Sequence, residues 1–261
     1  KDHSEYYIPA YSWKNKSQND TIVIRGATVW TSDNNGVLKD YSVAIYKGKI
    51  VKIAKYIGVK KGVLIDGTGK HLTAGIVDEH SHIAIYGGVN ESGQSVSSQV
   101  RVSDAVSPYD INIYRQLAGG VTSAQLLHGS ANPIGGQSAI IKLKWEKSVP
   151  EMLFDPQPKF IKFALGENVK QANHYRRSKR YPQTRMGVEQ LMLDKFSQAK
   201  KYASDKKDKT YRKDLSLDAL VEILEGKRHI TCHSYIQSEI NLIKNQNHFL
   251  SFCNLSLLIH Q

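Results

Sequence analysis

The sequence predicts an α/β fold, on three observations. Between Thr21 and Asp66 the chain runs through short β-rich segments closed by glycine-containing turns. After Gly75 strand-like and helix-like segments alternate, the signature of βα units that build a parallel sheet. A hydrophobic content of 40% over 261 residues is enough to bury a core in one large domain or two small ones.

Taken in order, residues 1–20 are polar and aromatic without a period and read as a leader or linker. Thr21–Trp30 is a β-rich run, and 41–53 reads as two strands around a turn at Lys47-Gly48-Lys49. Val63–Asp66 adds a short strand closed by Gly67 and Gly69. The apolar run that follows Leu72 ends at His82 as the first strand of the alternating region. A helix is expected from Ser107-Pro108, where Ser caps and Pro suits the first turn, to Gly119-Gly120. Strands are then expected at 121–128, 138–143, 160–165 and 229–233. Helices are expected at 187–203, at 216–225 and from about Gln237 to Asn245.

The chemistry concentrates in Leu72-Thr-Ala-Gly-Ile-Val-Asp-Glu-His-Ser-His82. Residues two apart in a strand point to the same side, so His80 and His82 can aim two imidazoles at one point, as a divalent metal requires. The longer stretch Val63-Leu-Ile-Asp-Gly-Thr-Gly-Lys-His-Leu-Thr-Ala-Gly-Ile-Val-Asp-Glu-His-Ser-His82 resembles the entry to the first barrel strand of the amidohydrolase superfamily, in particular its imidazolonepropionase-like metal-dependent hydrolases. Ala74 stands where that family often has proline, a departure that touches the turn and not the ligands. The resemblance runs from about residue 21 to about residue 240.

That resemblance implies a partial TIM (β/α) barrel over 74–240, preceded by strands of a small β-sandwich over 21–73. A full barrel takes roughly 250 residues, and too few follow His233 for three more units, so the barrel is expected to stop after strand five. The tail at 241–261, apolar and nearly uncharged from His248 to His260, leaves the family pattern; it reads as an out-of-frame end or as the last strand of a smaller fold.

Carried over residue by residue, the resemblance makes His80, His82, Glu167 and His233 metal ligands. Glu167 is favoured as the strand-four bridge, with a carboxylated Lys162 as the alternative; five residues apart, the two cannot serve one centre in an extended strand at ~3.3 Å per residue. Asp78 is expected to orient an imidazole from behind. His229 shares the face of His233 but sits about 13 Å nearer the barrel bottom and is expected to be structural. His128 opens the glycine-rich loop Gly129–Gly136, and His128, Gly129, Asn132 and Gly135 are expected to face substrate through exposed amides. His71, His174, His248 and His260 lack partner spacing and read as surface or tail residues.

The activity implied is metal-dependent hydrolysis of carbon–nitrogen bonds other than peptide bonds, in an amide, cyclic amide or peptide-like small molecule. Zinc is the default metal for such a donor set. The strand-eight aspartate that shuttles the proton in the family has no counterpart here, so no catalytic residue is assigned and the chain as written is expected to be weakly active or inactive.

A net charge of +12 raises the question of acidic partners. Lys170, Arg176, Arg177, Lys179 and Arg180 cluster, as do Lys200, Lys201, Lys206, Lys207, Lys209, Arg212 and Lys213. With no recognition motif they read as wet helix faces, and nucleic acid is not expected. The competing reading is a non-catalytic interaction protein that binds acidic partners through this basic face. Two cysteines, Cys232 and Cys253, make no disulfide framework or zinc ribbon. Neither a membrane span nor a signal peptide is visible, which leaves the location open between cytoplasmic and, for a processed or excerpted chain, periplasmic or secreted. The oligomeric state is left open.

Overall fold

The computed structural model describes residues 20–171, 179–206, 211–245 and 255–259; the expected leader and the positions of His174, Arg176, Arg177, Lys207, Lys209, His248, Cys253 and His260 lie outside them. The chain divides into two compact units, Lys1–Ile76 and Val77–Gln261.

The first unit is one five-stranded sheet. β1 (Thr21–Trp30), β2 (Val37–Tyr46), β3 (Lys49–Ala54) and β4 (Val63–Asp66) lie in the order β3-β2-β1-β4, and β5 (His71–Leu72) also pairs with β1. β1 and β2 are antiparallel, with Thr21 opposite Tyr46, whereas β4 runs parallel to β1 from Ile22↔Val63. The β2–β3 hairpin closes on Lys47 and Gly48, both at positive φ (49° and 75°), as a two-residue turn matching the strand twist demands. Ala27, Val29 and Val43 form the small core. Among the described residues of this unit no second sheet faces the first.

The second unit carries β6 (Ile76–Ser81), α1 (Ile111–Ala118), β7 (Val121–Leu126), β8 (Ile134–Gln137), β9 (Ala139–Lys142), α2 (Val149–Met152), β10 (Phe160–Ala164), α3 (Arg185–Asp205), α4 (Leu215–Leu224), β11 (His229–Ser234), α5 (Gln237–Asn245) and β12 (Leu255–Ile259). They form two sheets, β6-β7-β9 and β12-β11-β10-β8. The parallel pairs expected of βα units are present at β10–β11, where Lys162 lies opposite Thr231 and Ala164 opposite His233. α3 and α4 cross over between these strands. Their Val188, Leu191, Met192, Phe196, Leu220 and Ile223 pack on Ile161, Phe163, Ile230 and Cys232 in a buried cluster. Strand alternation then turns Lys162, Thr231 and His233 to the opposite face.

Three expectations need correction. The strand expected at 138–143 is present as β9, but it runs antiparallel to β7 and not in a parallel βα unit, and a further strand, β8, antiparallel to β10, begins where the glycine-rich loop was expected. β7 and β9 are joined by a stretch that contains β8 and no helix, whereas a parallel crossover is usually made by a helix. α1 begins at Ile111, because the cap is Asp110, whose carboxylate accepts from Asn112 N at 2.9 Å and from Ala84 N at 2.6 Å; Ser107 instead donates its amide to Ala84 O. In the tail, Leu255–Ile259 pairs in parallel with Ile230–Ser234, so the sheet does not stop at β11 and, of the two readings of this stretch, the strand is the one present. Among the described residues no helix is long and apolar enough to cross a membrane.

Candidate metal centre

The site lies in the second unit, where β6, β7, β10 and β11 end. Asp78, His80 and His82 follow the two-residue period of β6 and the residue after it. The rings of His80 and His82 lie 5.2 Å apart, edge to face. His82 Nδ1 stands 2.9 Å from Leu127 O; a nitrogen that meets a carbonyl carries the proton, which leaves the lone pair on Nε2. An imidazole held this way is oriented for ligation. Asp78 does not perform that service as expected: its carboxylate accepts from the main-chain N–H of His80 at 3.1 Å and so shapes the strand end.

β10 supplies the third member. Lys162 is 1% exposed, and its Nζ lies 3.3 Å from His80 Nε2. Burial lowers the ammonium's pKa to about 8, with a smaller opposing effect from Cys232. Glu167, the favoured bridge, turns elsewhere. Its carboxylate pairs with Lys170 at 2.8 Å and its side chain is 49% exposed, because β10 ends at Ala164 and Gly166 at φ 77° redirects the chain. The structure therefore brings Lys162 to His80 and points Glu167 outward.

His233 shares the face of Lys162 through the β10–β11 register and stacks edge to face with Tyr235 at 5.6 Å. On the same face Gln125 of β7 donates to Thr231 Oγ1 at 3.3 Å. His229, at the start of β11, lies against the Phe160 ring. Among the described residues no three His, Cys, Asp or Glu side chains come together closely enough to hold a metal, so the four-ligand set expected from sequence is not assembled; the assembled cluster is His80, His82 and Lys162.

The glycine-rich loop is built for packing more than for open amides. His128 is buried; its Nδ1 meets Gly129 O at 2.9 Å and its Nε2 accepts from Glu91 N at 2.8 Å. Both ring nitrogens are thereby used, and burial pushes the imidazole pKa down. A Cβ on Gly135 would stand 2.9 Å from His128 Nδ1 and from Lys162 O, and one on Gly129 2.3 Å from Asn90 Oδ1, so these positions are glycine because neighbours press on them. Asn132, fully buried, donates to Glu91 O and Ser97 Oγ and accepts from Arg180. These contacts of His128, Gly129, Asn132 and Gly135 hold the mouth together, and His128 also lines the adjoining cleft. Beside His128 a cleft of about 280 Å³ is lined by Tyr86, Val89, Val100 and Val102 among others.

Residues that sequence reasoning missed are Asn90, Glu91 and Gln125. It also misplaced two others assigned to a wet basic cluster: Lys170 is buried and paired with Glu239 of α5 at 2.9 Å, and Arg180 is half-buried. The acid three residues before Lys170 was the only local hint. His71, read as an isolated surface residue, accepts from Trp30 Nε1 at 2.8 Å.

No family model matches the chain. A curated relative, the amidohydrolase tasK of Hapsidospora irregularis, is 28% identical over 276 residues, which take in 87% of this chain and 28% of that protein. Among solved structures, an amidohydrolase from Thermotoga maritima MSB8 superposes with a TM-score of 0.79 and 31% identity, over 90% of this chain and 63% of that one. The chain spans less than two thirds of the length of each.

Proposed function

Because the chain belongs to the amidohydrolase superfamily, we propose that it is a metal-dependent hydrolase built on a partial (β/α) barrel. It acts on carbon–nitrogen bonds other than peptide bonds, in a small amide, cyclic amide or peptide-like substrate. The observation that carries this reading is the buried Lys162 amine 3.3 Å from His80 Nε2, with His82 alongside. His80, His82 and a carboxylated Lys162 would hold a divalent ion, zinc by default, with His233 facing the same space. Bound there, the ion supplies Lewis acidity and water acidified toward neutrality.

The donor chemistry fits. Burial makes the neutral amine accessible near pH 8, and the neutral amine is the form whose lone pair forms a bond to the carbon of CO2, with its proton leaving to solvent. The product is an anionic oxygen donor in a place where an ammonium is disfavoured. The Leu127 carbonyl holds His82 in the tautomer that leaves Nε2 for ligation. Lys162 replaces Glu167 as the proposed bridge.

The test is metal-free 261-residue chain recharged with zinc in bicarbonate buffer, assayed for bound zinc and for hydrolysis of N-acyl amino acids and cyclic dipeptides. Lys162→Gln is expected to lose at least about tenfold in zinc affinity, the usual cost of disturbing such a site, together with hydrolysis. Glu167→Gln is expected to keep both. The opposite pattern would return the bridge to Glu167; a wild-type chain that takes up no zinc and cleaves nothing sinks the reading.

A further inference from the structure

Arg180 gathers more described hydrogen-bond acceptors than any other side chain near the mouth. Its Nη1 faces Ser92 O at 2.6 Å, Gln94 O at 2.9 Å and Asn132 Oδ1 at 2.8 Å, and its Nη2 donates to Ala131 O at 2.7 Å. These acceptors sit on two loops, the one after β6 and the one after β7, while Arg180 itself stands on the segment that leads from β10 into α3. Ser95 Oγ, donating to Tyr181 O, adds a second tie between the first loop and that segment. A planar guanidinium offers donors in a fixed fork and can satisfy several carbonyls from one position; a lysine ammonium on its flexible stem does this poorly.

From Arg180 the contacts lead inward without a gap. Asn132, which accepts from Arg180, donates to Glu91 O at 2.6 Å. The Glu91 N–H donates to His128 Nε2 at 2.8 Å. His128 follows Leu127, whose carbonyl orients His82 and whose N–H donates to Ser81 O at 3.0 Å. Gly129 N–H donates to Val89 O at 2.6 Å and closes the loop pair from the other side.

We infer that Arg180 is a positioning residue: by clamping the loops after β6 and β7 together, it fixes the Leu127–His128 main chain and thereby the orientation of His82. The inference rests on the reading of His82 as a metal ligand. Partners one step behind a ligating histidine typically account for 10–100-fold in metal affinity, so Arg180→Ala is expected to weaken zinc binding by about tenfold while helix content is retained.

The experiment uses the whole 261-residue chain. Zinc affinity is measured by competition with a chromophoric chelator. In metal-free protein, histidine 15N resonances report which nitrogen of His82 and His128 carries the proton. Arg180→Ala is expected to shift the His82 signal from a single Nδ1–H tautomer toward a mixture, and millimolar guanidinium ion is expected to restore both the signal and the affinity. Should Arg180→Ala fail to fold, Arg180→Lys is read in its place, with the same shift expected. Unchanged His82 signals and wild-type zinc affinity in the variant that folds would overturn the inference. So would a loss of affinity, in the variant that folds, that leaves the His82 signals unchanged or that guanidinium does not repair. A wild-type chain that binds no zinc defeats the metal reading alone, since the metal-free spectra still decide what Arg180 does to His82.

Discussion

At His128 the ring is held neutral by its surroundings. Burial lowers the pKa from its ordinary 6.5, and the Nε2 that would take the second proton already accepts from Glu91 N, so protonation would set two N–H groups against each other. The unfolded chain has no such conflict and binds the proton near pH 6.5. Its folded pKa being depressed, His128 contributes stability that is present above pH 6.5 and lost as pH falls below it, at up to about 1.4 kcal/mol per pH unit. Urea midpoints between pH 7.5 and 5 are therefore expected to fall more steeply for wild type than for His128→Gln, although the variant is less stable overall; parallel slopes would contradict this account. That His80 and His82 come together was legible in sequence because a two-residue period is a local property. That Lys162 and not Glu167 lies beside them was not, since it depends on where β10 ends and on Lys170 drawing Glu167 outward, a matter of tertiary contacts.

Elements were legible where local chemistry sets their limits. β1, β10, α3, α4 and α5 fall within two residues or so of expectation, and Asp214 caps α4 by accepting from Ser216 N and Leu217 N. β8 was missed because Ile134-Gly-Gly-Gln137 overlaps a glycine-rich stretch that reads as a loop, and the antiparallel direction of β9 because a run of β-formers carries none. Between elements, Glu239 of α5 accepts from Gly166 N at 2.6 Å and pairs with Lys170, the two side chains only 5% and 10% exposed. This pair fastens α5 to the segment after β10. Removing one partner of a buried ion pair strands the other charge, and Glu239→Ala is expected to cost about 3 kcal/mol. Glu167→Gln, which removes a half-exposed partner of the same lysine, is expected to cost at most about 1 kcal/mol. Chemical denaturation of the two variants checks the order, and equal costs would mean that Lys170 is adequately neutralised by either acid.

At the scale of the molecule, the expectation that the barrel stops after strand five followed from counting barrel units, a step that left the tail either an out-of-frame end or the last strand of a smaller fold. Leu255–Ile259 lies parallel to β11 with Cys232 opposite Leu257 and His233 opposite Leu258. The main-chain N–H and C=O groups on that side of Ile230–Ser234 thus have a partner within the chain. An unpaired strand edge is a template for another molecule's strand. Replacing Leu257 and Leu258 together by proline keeps length and charge, fixes φ and removes from the ladder whichever of the two neighbouring amides points toward β11, since alternate N–H groups of this outermost strand face the ladder; ending the chain after Asn245 removes the strand altogether. Both changes are expected to produce concentration-dependent self-association by light scattering on size exclusion, under conditions where the 261-residue chain runs as a single species. If all three elute alike at every concentration, β12 does not protect the edge, and the protection must come from the rest of the second unit.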